Sequence, residues 1–140
     1  VFAGDSVLDD AAGELIAQGG DPFAHFASTF AGADIRITNL ECVIASDGAA
    51  SDKMYTFRAH PRVIPVLQRH FDAVALANNH SGDFGPQAFA QMLTLFKQAN
   101  LPQVGGGNQR CPVDRLVVSL ALAPRASNSA PKATGNQMAI

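Results

Sequence analysis

The stretch Asp72-Ala73-Val74-Ala75-Leu76-Ala77-Asn78-Asn79-His80, running on as Ser81-Gly82-Asp83-Phe84-Gly85, holds the sharpest change of character in the chain. Five apolar residues, Ala73 to Ala77, have the length and bulk of a short buried strand. Two amides and an imidazole follow at once, and then a glycine-punctuated turn. Pro86 stands where a helix would begin, and Phe89, Met92, Leu93 and Phe96 supply a helical stripe. Strand, polar loop and helix in that order place the loop at the carboxyl edge of a parallel sheet, where ligands bind.

Working outward, the flanking segments repeat the alternation. Val1 to Gly4 looks like the end of a first strand, with Asp5 just beyond it. Asp21-Pro22 is expected to open a helix, Asp capping free N–H groups and Pro fitting the first turn, with Phe23, Phe26, Ala27 and Phe30 on one face. Ile35 to Glu41 reads as a second strand whose alternation sets Ile35, Ile37, Asn39 and Glu41 on the same side. Arg36 is unusual for a buried parallel strand and implies an edge or a local exposure. Ala45 to Lys53 has no periodicity and reads as a loop; Tyr55 to Arg58 is expected to be extended. A further helix is expected from Pro61, with Ile64, Leu67 and Phe71 inward, and a short strand from Leu101 to Val104 ending at Gly105-Gly106-Gly107-Asn108. The succession argues for an α/β layered fold with right-handed crossovers. Leu116 to Ala123 could add one more strand, whereas Arg125 to Gln137 has no amphipathic face and reads as disordered or adventitious.

Composition narrows the functional classes. The chain has 140 residues, one domain or part of one, with 47% hydrophobic and 16% charged residues, the balance of a globular protein. Its formal charge of −2 and the lack of a basic stripe give no support to nucleic-acid binding. No run of about eighteen apolar residues is present to span a membrane. The chain opens at Val1 in what reads as mid-strand; a missing upstream segment could have carried a signal peptide or an anchor, and localisation is not legible. Cys42 and Cys111 stand outside any CxxC pairing, which excludes a zinc ribbon, and both are expected to be unpaired.

If the sheet is parallel, three strand ends deliver Asp5, then Asn39 and Glu41, then Asn78, Asn79 and His80 to one edge. Carboxylates, an amide oxygen and an imidazole form a mixed hard-ligand set suited to Mn²⁺, Fe²⁺, Zn²⁺ or Mg²⁺. Such an ion could acidify a bound water and polarise an ester oxygen, with His80 protonating the leaving group. Each residue alone has a plainer reading: Asp5 as a turn cap, Glu41 as a solvated strand end, the two asparagines as turn formers, His80 as a loop histidine. Arrival at one edge is what favours the chemistry. His25, His60 and His70 fall off that edge and are expected to be structural or surface residues. Asp83-Phe84-Gly85 echoes a kinase tripeptide without the companion motifs, and Gly105 to Asn108 reads as a plain turn.

Gly4-Asp5, then Ala33-Asp34 leading to Asn39-Leu40-Glu41, then Phe57-Arg58 with Pro61, resembles the bacterial capsule-synthesis CapA (PgsA-type, poly-γ-glutamate) family. The block Ala77-Asn78-Asn79-His80 with Asp83-Phe84-Gly85 is similar to its most specific signature, and Val104 to Asn108 to its next landmark. The resemblance covers residues 1–108, expected to be the N-terminal part of the domain. Residues 109–140 are expected to be a divergent tail, frameshifted or disordered. The family is related to calcineurin-like metallophosphoesterases, so the resemblance implies part of an α/β/β/α sandwich with a dinuclear metal site at its strand ends. It implies metal ligands at Asp5, at Asn39 or Glu41, and at Asn79, with His80 as the acid.

Val7 stands where the superfamily has a histidine, and no histidine follows His80, so this chain is expected to hold about half a site and to be inactive as it stands. For a full-length protein the resemblance implies a metal-dependent hydrolase in capsule or poly-γ-glutamate synthesis. It would act on an anionic polymer or phosphoester at the cell envelope, alongside other capsule synthesis proteins. The competing expectation is a non-catalytic polymer- or partner-binding component of the same machinery; a third is an unrelated α/β ligand-binding module.

Overall fold

The computed structural model describes residues 1–106. Six strands, β1 (Phe2–Ser6), β2 (Ile37–Leu40), β3 (Val43–Ile44), β4 (Arg58–Ala59), β5 (Ala73–Ala75) and β6 (Gln103–Val104), are accompanied by four α-helices. These are α1 (Asp10–Ala17), α2 (Ala27–Ala31), α3 (Ile64–His70) and α4 (Gly85–Ala99). Short 3-10 turns, Ala24–Phe26 and Pro61–Val63, lead into α2 and α3. The main sheet runs β1-β2-β5-β6 and every pairing in it is parallel. Helices intervene between its successive strands, as parallel strands require. This is the α/β class expected, compatible with part of a layered sandwich. Among the described residues no helix is long and apolar enough to cross a membrane.

The quoted stretch behaves as its pattern predicts. Ala73 and Val74 are fully buried in β5, and Leu76 continues the buried run beyond the strand. In α4 the buried line is Ala88, Met92 and Phe96, with Phe89 and Leu93 partly buried beside it. Asn100 closes the helix in the left-handed conformation, φ 52°. The Pro61 helix likewise turns Ile64, Leu67 and Phe71 inward.

Several features differ from expectation. The helix expected to open at Asp21-Pro22 begins only at Ala27, after the 3-10 turn, and Phe26 is 55% exposed. Helix α1 was not anticipated, because its short, Ala-rich sequence buries only Ile16, with Ala12 partly buried a turn before it. Strands β3 and β4, two residues each, form a separate parallel pair too short to show alternation. The β3 strand lies against α4, where the Ile44 N–H donates to Met92 Sδ at 3.3 Å. Last, Arg36 does not mark an edge, for β2 lies inside the sheet; it stands just before that strand and is locally exposed, its side chain 24% accessible. Its guanidinium donates to both carboxylate oxygens of Asp72, at 3.0 and 2.8 Å, closing the amino end of β2 against that of β5.

The core is continuous between the two sheets: Leu40, Val43, Ile44, Val63, Leu67, Val74, Leu76, Met92 and Phe96 belong to one cluster. Cys42 sits in it with a free thiol, and desolvation pushes its pKa up to about 12. Cys111, Gly107, Asn108, the expected strand from Leu116 and the tail lie outside the described residues. The edge strand β1 is little covered: only Ser6 is buried, and Phe2 is 83% exposed.

Candidate functional site

The carboxyl edge forms because the sheet registers align its strand ends. Asp5 pairs with Asn39 across β1–β2, and Asn39 with Ala75 across β2–β5. Asp5 lies within β1 rather than beyond it. The Asn39 amide nitrogen donates to Asp5 Oδ1 at 2.8 Å and also to Glu41 Oε2. Two carboxylates from different strand ends therefore converge on one amide nitrogen.

What orients that amide comes from the next loop. Asn78 Oδ1 accepts from the backbone N–H groups of His80 and Ser81, both at 3.0 Å, and from Ser81 Oγ at 3.1 Å. This turn fixes which end of the Asn78 amide faces outward. Its nitrogen then donates to Leu40 O at 2.9 Å and to Asn39 Oδ1 at 3.0 Å. With its oxygen so engaged, Asn39 must present nitrogen to the carboxylates. Asn78 is thus the staple between the two loops. Asn79 beside it is exposed, and among the described residues its side chain makes no hydrogen bond.

His80 is held on three sides. Its Nδ1 lies 2.7 Å from Asp83 Oδ2, its ring centroid is 4.7 Å from that of Phe57, and its Nε2 is 4.0 Å from Glu41 Oε1. Asp83, 0% exposed, also accepts from Lys53 Nζ at 2.8 Å and from the Phe57 N–H at 2.9 Å. Burial raises its pKa, but the hydrogen bonds from Lys53, His80 and Phe57 outweigh that and hold it below the usual carboxylate range. Lys53 reaches Asn79 O as well, at 2.6 Å, so it ties down the backbone on either side of His80.

Of the residues singled out by sequence, Asp5, Asn39, Glu41 and His80 meet in this one network. Asn79 lies at its rim, beside an open depression lined by Leu76, Ala77, Ser81, Gly82, Phe89 and Gly105. Gly105 is required there: at φ 78° a Cβ on it would sit 2.5 Å from that of Ala77. Sequence reasoning passed over Asp83 as part of a turn, and Lys53 and Phe57 entirely as site residues. The one available signal was the Phe57-Arg58 pair. Phe57 covers His80, and the Arg58 guanidinium lies over the Phe84 ring at 4.5 Å. The other histidines are off the edge, as expected: His60 caps the 3-10 turn at Pro61 and His70 packs between Phe23 and Phe30.

The donors at this edge are hard oxygens with an imidazole close by, the chemistry that suits a divalent cation. Among the described residues, no group of three or more His, Cys, Asp or Glu gathers in a way that could hold a metal ion. A cation held between Asp5 and Glu41 would therefore draw on amide oxygens and water as well.

Comparison with known proteins agrees with this arrangement of motifs. The family model for bacterial capsule synthesis protein PGA_cap matches residues 1–120. Two probable polyglutamine synthesis accessory proteins of Mycobacterium tuberculosis, from strains CDC 1551 / Oshkosh and ATCC 25618 / H37Rv, are each 38% identical over 76 residues. That match covers 53% of this chain and 20% of each relative, so the chain spans only a fraction of their length. The chain belongs to the PGA_cap family.

Proposed function

We propose that this member of the PGA_cap family carries part of a metal-dependent, phosphoesterase-type hydrolytic site serving capsule or poly-γ-glutamate synthesis. The observation behind the reading is the convergence of Asp5 and Glu41 on one amide nitrogen, with His80 Nε2 4.0 Å from Glu41. Like charges brought together at a strand edge repel each other unless a proton, a donor or a cation lies between them. Here a neutral amide does part of that work.

In this reading Asp5 and Glu41 are the anionic ligands, and Asn79 contributes its uncommitted side-chain oxygen. Glu41 is preferred to Asn39, whose nitrogen serves the carboxylates and whose oxygen serves Asn78. When bound, a Mn²⁺, Fe²⁺, Zn²⁺ or Mg²⁺ ion would acidify a water and polarise the substrate's ester oxygen. His80 would hand a proton from Nε2 to the departing oxygen, and the Phe57 ring would keep solvent off one face of the imidazole. The substrate class is an anionic polymer or phosphoester, with other capsule synthesis proteins as partners.

The test is calorimetric titration of the chain with Mn²⁺ and with Zn²⁺, alongside hydrolysis of an aryl phosphodiester by a full-length protein that carries this segment. Saturable binding that weakens in Asp5→Asn and Glu41→Gln, with turnover lost in His80→Ala, is expected. No saturable binding of either ion would reject the reading. It would favour a non-catalytic component that binds polymer or partner, a role to which the exposed Met54 and Tyr55, next to Lys53, would be suited.

A further inference from the structure

Asp83 is fully buried, yet the proposed chemistry gives it no part. It is the meeting point of three donors from separate segments: the Lys53 ammonium, the Phe57 backbone N–H and a His80 ring nitrogen. A carboxylate that is ionised can only accept hydrogen bonds. The 2.7 Å contact to His80 Nδ1 therefore requires the proton to be on Nδ1. The other nitrogen, Nε2, is left facing the Asp5–Glu41 edge.

We propose that Asp83, anchored by Lys53, is a positioning residue that commits His80 to the Nδ1–H form and aims Nε2 at the carboxylate edge. The inference rests on the reading of His80 as the proton donor: with one proton held on Nδ1 by Asp83, the proton that His80 gives up is a second one carried on Nε2, and the neutral Nδ1–H ring is what remains after the transfer. It assigns a function to the turn after the histidine: Asp83 follows at i+3, and the backbone N–H of Asp83 donates to His80 O at 3.2 Å, closing the loop that brings the carboxylate under the ring. Lys53 contributes from another loop, holding both Asp83 Oδ1 and Asn79 O, so neither side of His80 can drift. The Phe57 ring blocks rotation on a third side. Second partners of this kind are what fix a histidine's tautomer and orientation.

The molecule contains its own controls. His60 Nδ1 accepts from the Arg62 backbone N–H and Nε, and His70 uses Nε2 against Asp21. Both carry the neutral-ring proton on Nε2, the opposite of His80.

The experiment is a long-range ¹H–¹⁵N correlation spectrum of the ¹⁵N-histidine-labelled chain at a pH where the rings are neutral, with His80 assigned by its loss in His80→Gln. His80 is expected to show a protonated Nδ1 while His60 and His70 show a protonated Nε2. In Asp83→Ala that preference should disappear. Asp83→Asn should keep it, because the amide oxygen can still accept from Phe57 N–H and Nδ1 while the exposed Lys53 ammonium swings away. A wild-type His80 with its proton on Nε2 overturns the inference without any variant having to fold. In hydrolysis assays of a full-length protein that carries this segment, Asp83→Ala should lower kcat roughly 10- to 100-fold with KM unchanged, and Asp83→Asn should recover part of the loss. Metal-dependent turnover together with an Nε2–H His80 would sink the positioning role and leave the hydrolase reading. An Nδ1–H His80 with no turnover in the full-length protein would reject the hydrolase reading and leave only the tautomer assignment.

Discussion

Two histidine–aspartate pairs in this molecule have nearly the same parts and different uses. His70 and Asp21 meet at 2.7 Å, with Arg69 on the same carboxylate at 2.9 Å and Phe23 and Phe30 against the ring. His80 and Asp83 also meet at 2.7 Å, with Lys53 at 2.8 Å and Phe57 against the ring. The first pair pins the segment before α2 to the end of α3, and its ring is enclosed by aromatics. The second turns its spare ring nitrogen toward the Glu41 carboxylate, 4.0 Å away. An ion-paired histidine is therefore not diagnostic of a site. What distinguishes the two is where the unused nitrogen points, and what charge it finds there.

Breaking each pair in turn should separate structure from function. The largest effect on stability is expected from His70→Ala, roughly 3 kcal/mol in urea unfolding, because it empties a ring-sized space between Phe23 and Phe30 and strips Asp21 of its buried partner. His80→Ala should cost about 1 kcal/mol, since Asp83 keeps Lys53 and the Phe57 N–H. Equal costs would mean that the two pairs are equivalent. Among the carboxylates the order should reverse. Asp83→Ala removes the acceptor for three donors in a fully buried place and should cost about 2–3 kcal/mol. Asp21→Ala, at a partly exposed position, should cost about 1 kcal/mol.

Acid provides a gentler probe of the structural pair. Burial raises the Asp21 pKa, but hydrogen bonds from His70, Phe23 and Arg69 prevail, so the folded-state value lies below the ordinary one. A lowered carboxylate pKa contributes stability that is present above the unfolded value, about 3.9, and lost as pH falls through the folded one. Asp21→Asn should therefore lose stability at neutral pH and show a shallower decline on acidification below about pH 4; identical slopes would argue against the pairing. The smallest effects belong to the cations. Arg69→Gln, at an exposed side chain, should change stability by less than about 0.5 kcal/mol. Lys53→Gln should cost more, about 1 kcal/mol, since its partner is wholly desolvated.

Local signals made much of this molecule legible. The β5–loop–α4 stretch, the Pro61 helix and the parallel order follow from apolar periodicity, proline placement and connection length. The convergence of Asp5, Asn39, Glu41 and His80 followed from the one assumption that the sheet is parallel. The misses share a cause. The Arg36–Asp72 pair spans 36 positions, Lys53–Asp83 spans 30 and Asn78–Asn39 spans 39, so no local window contains both partners. Each residue alone looks like something else: Arg36 like an edge marker, Asp83 like a turn former, Lys53 like a solvated loop charge. Helix α1 escaped for a different reason, since a segment that buries one side chain leaves little periodicity to detect.

Cys42 has a practical consequence. It lies between the site-bearing end of β2 and the start of β3, with no accessible surface and a thiol pKa of about 12. In the folded chain it cannot form a thiolate that a disulfide reagent could reach. With Cys111 replaced by serine, the rate at which such a reagent modifies the protein becomes a clock for the opening of this one segment. Run with and without Mn²⁺, that clock reports whether an ion at the neighbouring carboxylates slows the breathing of the strand that carries them.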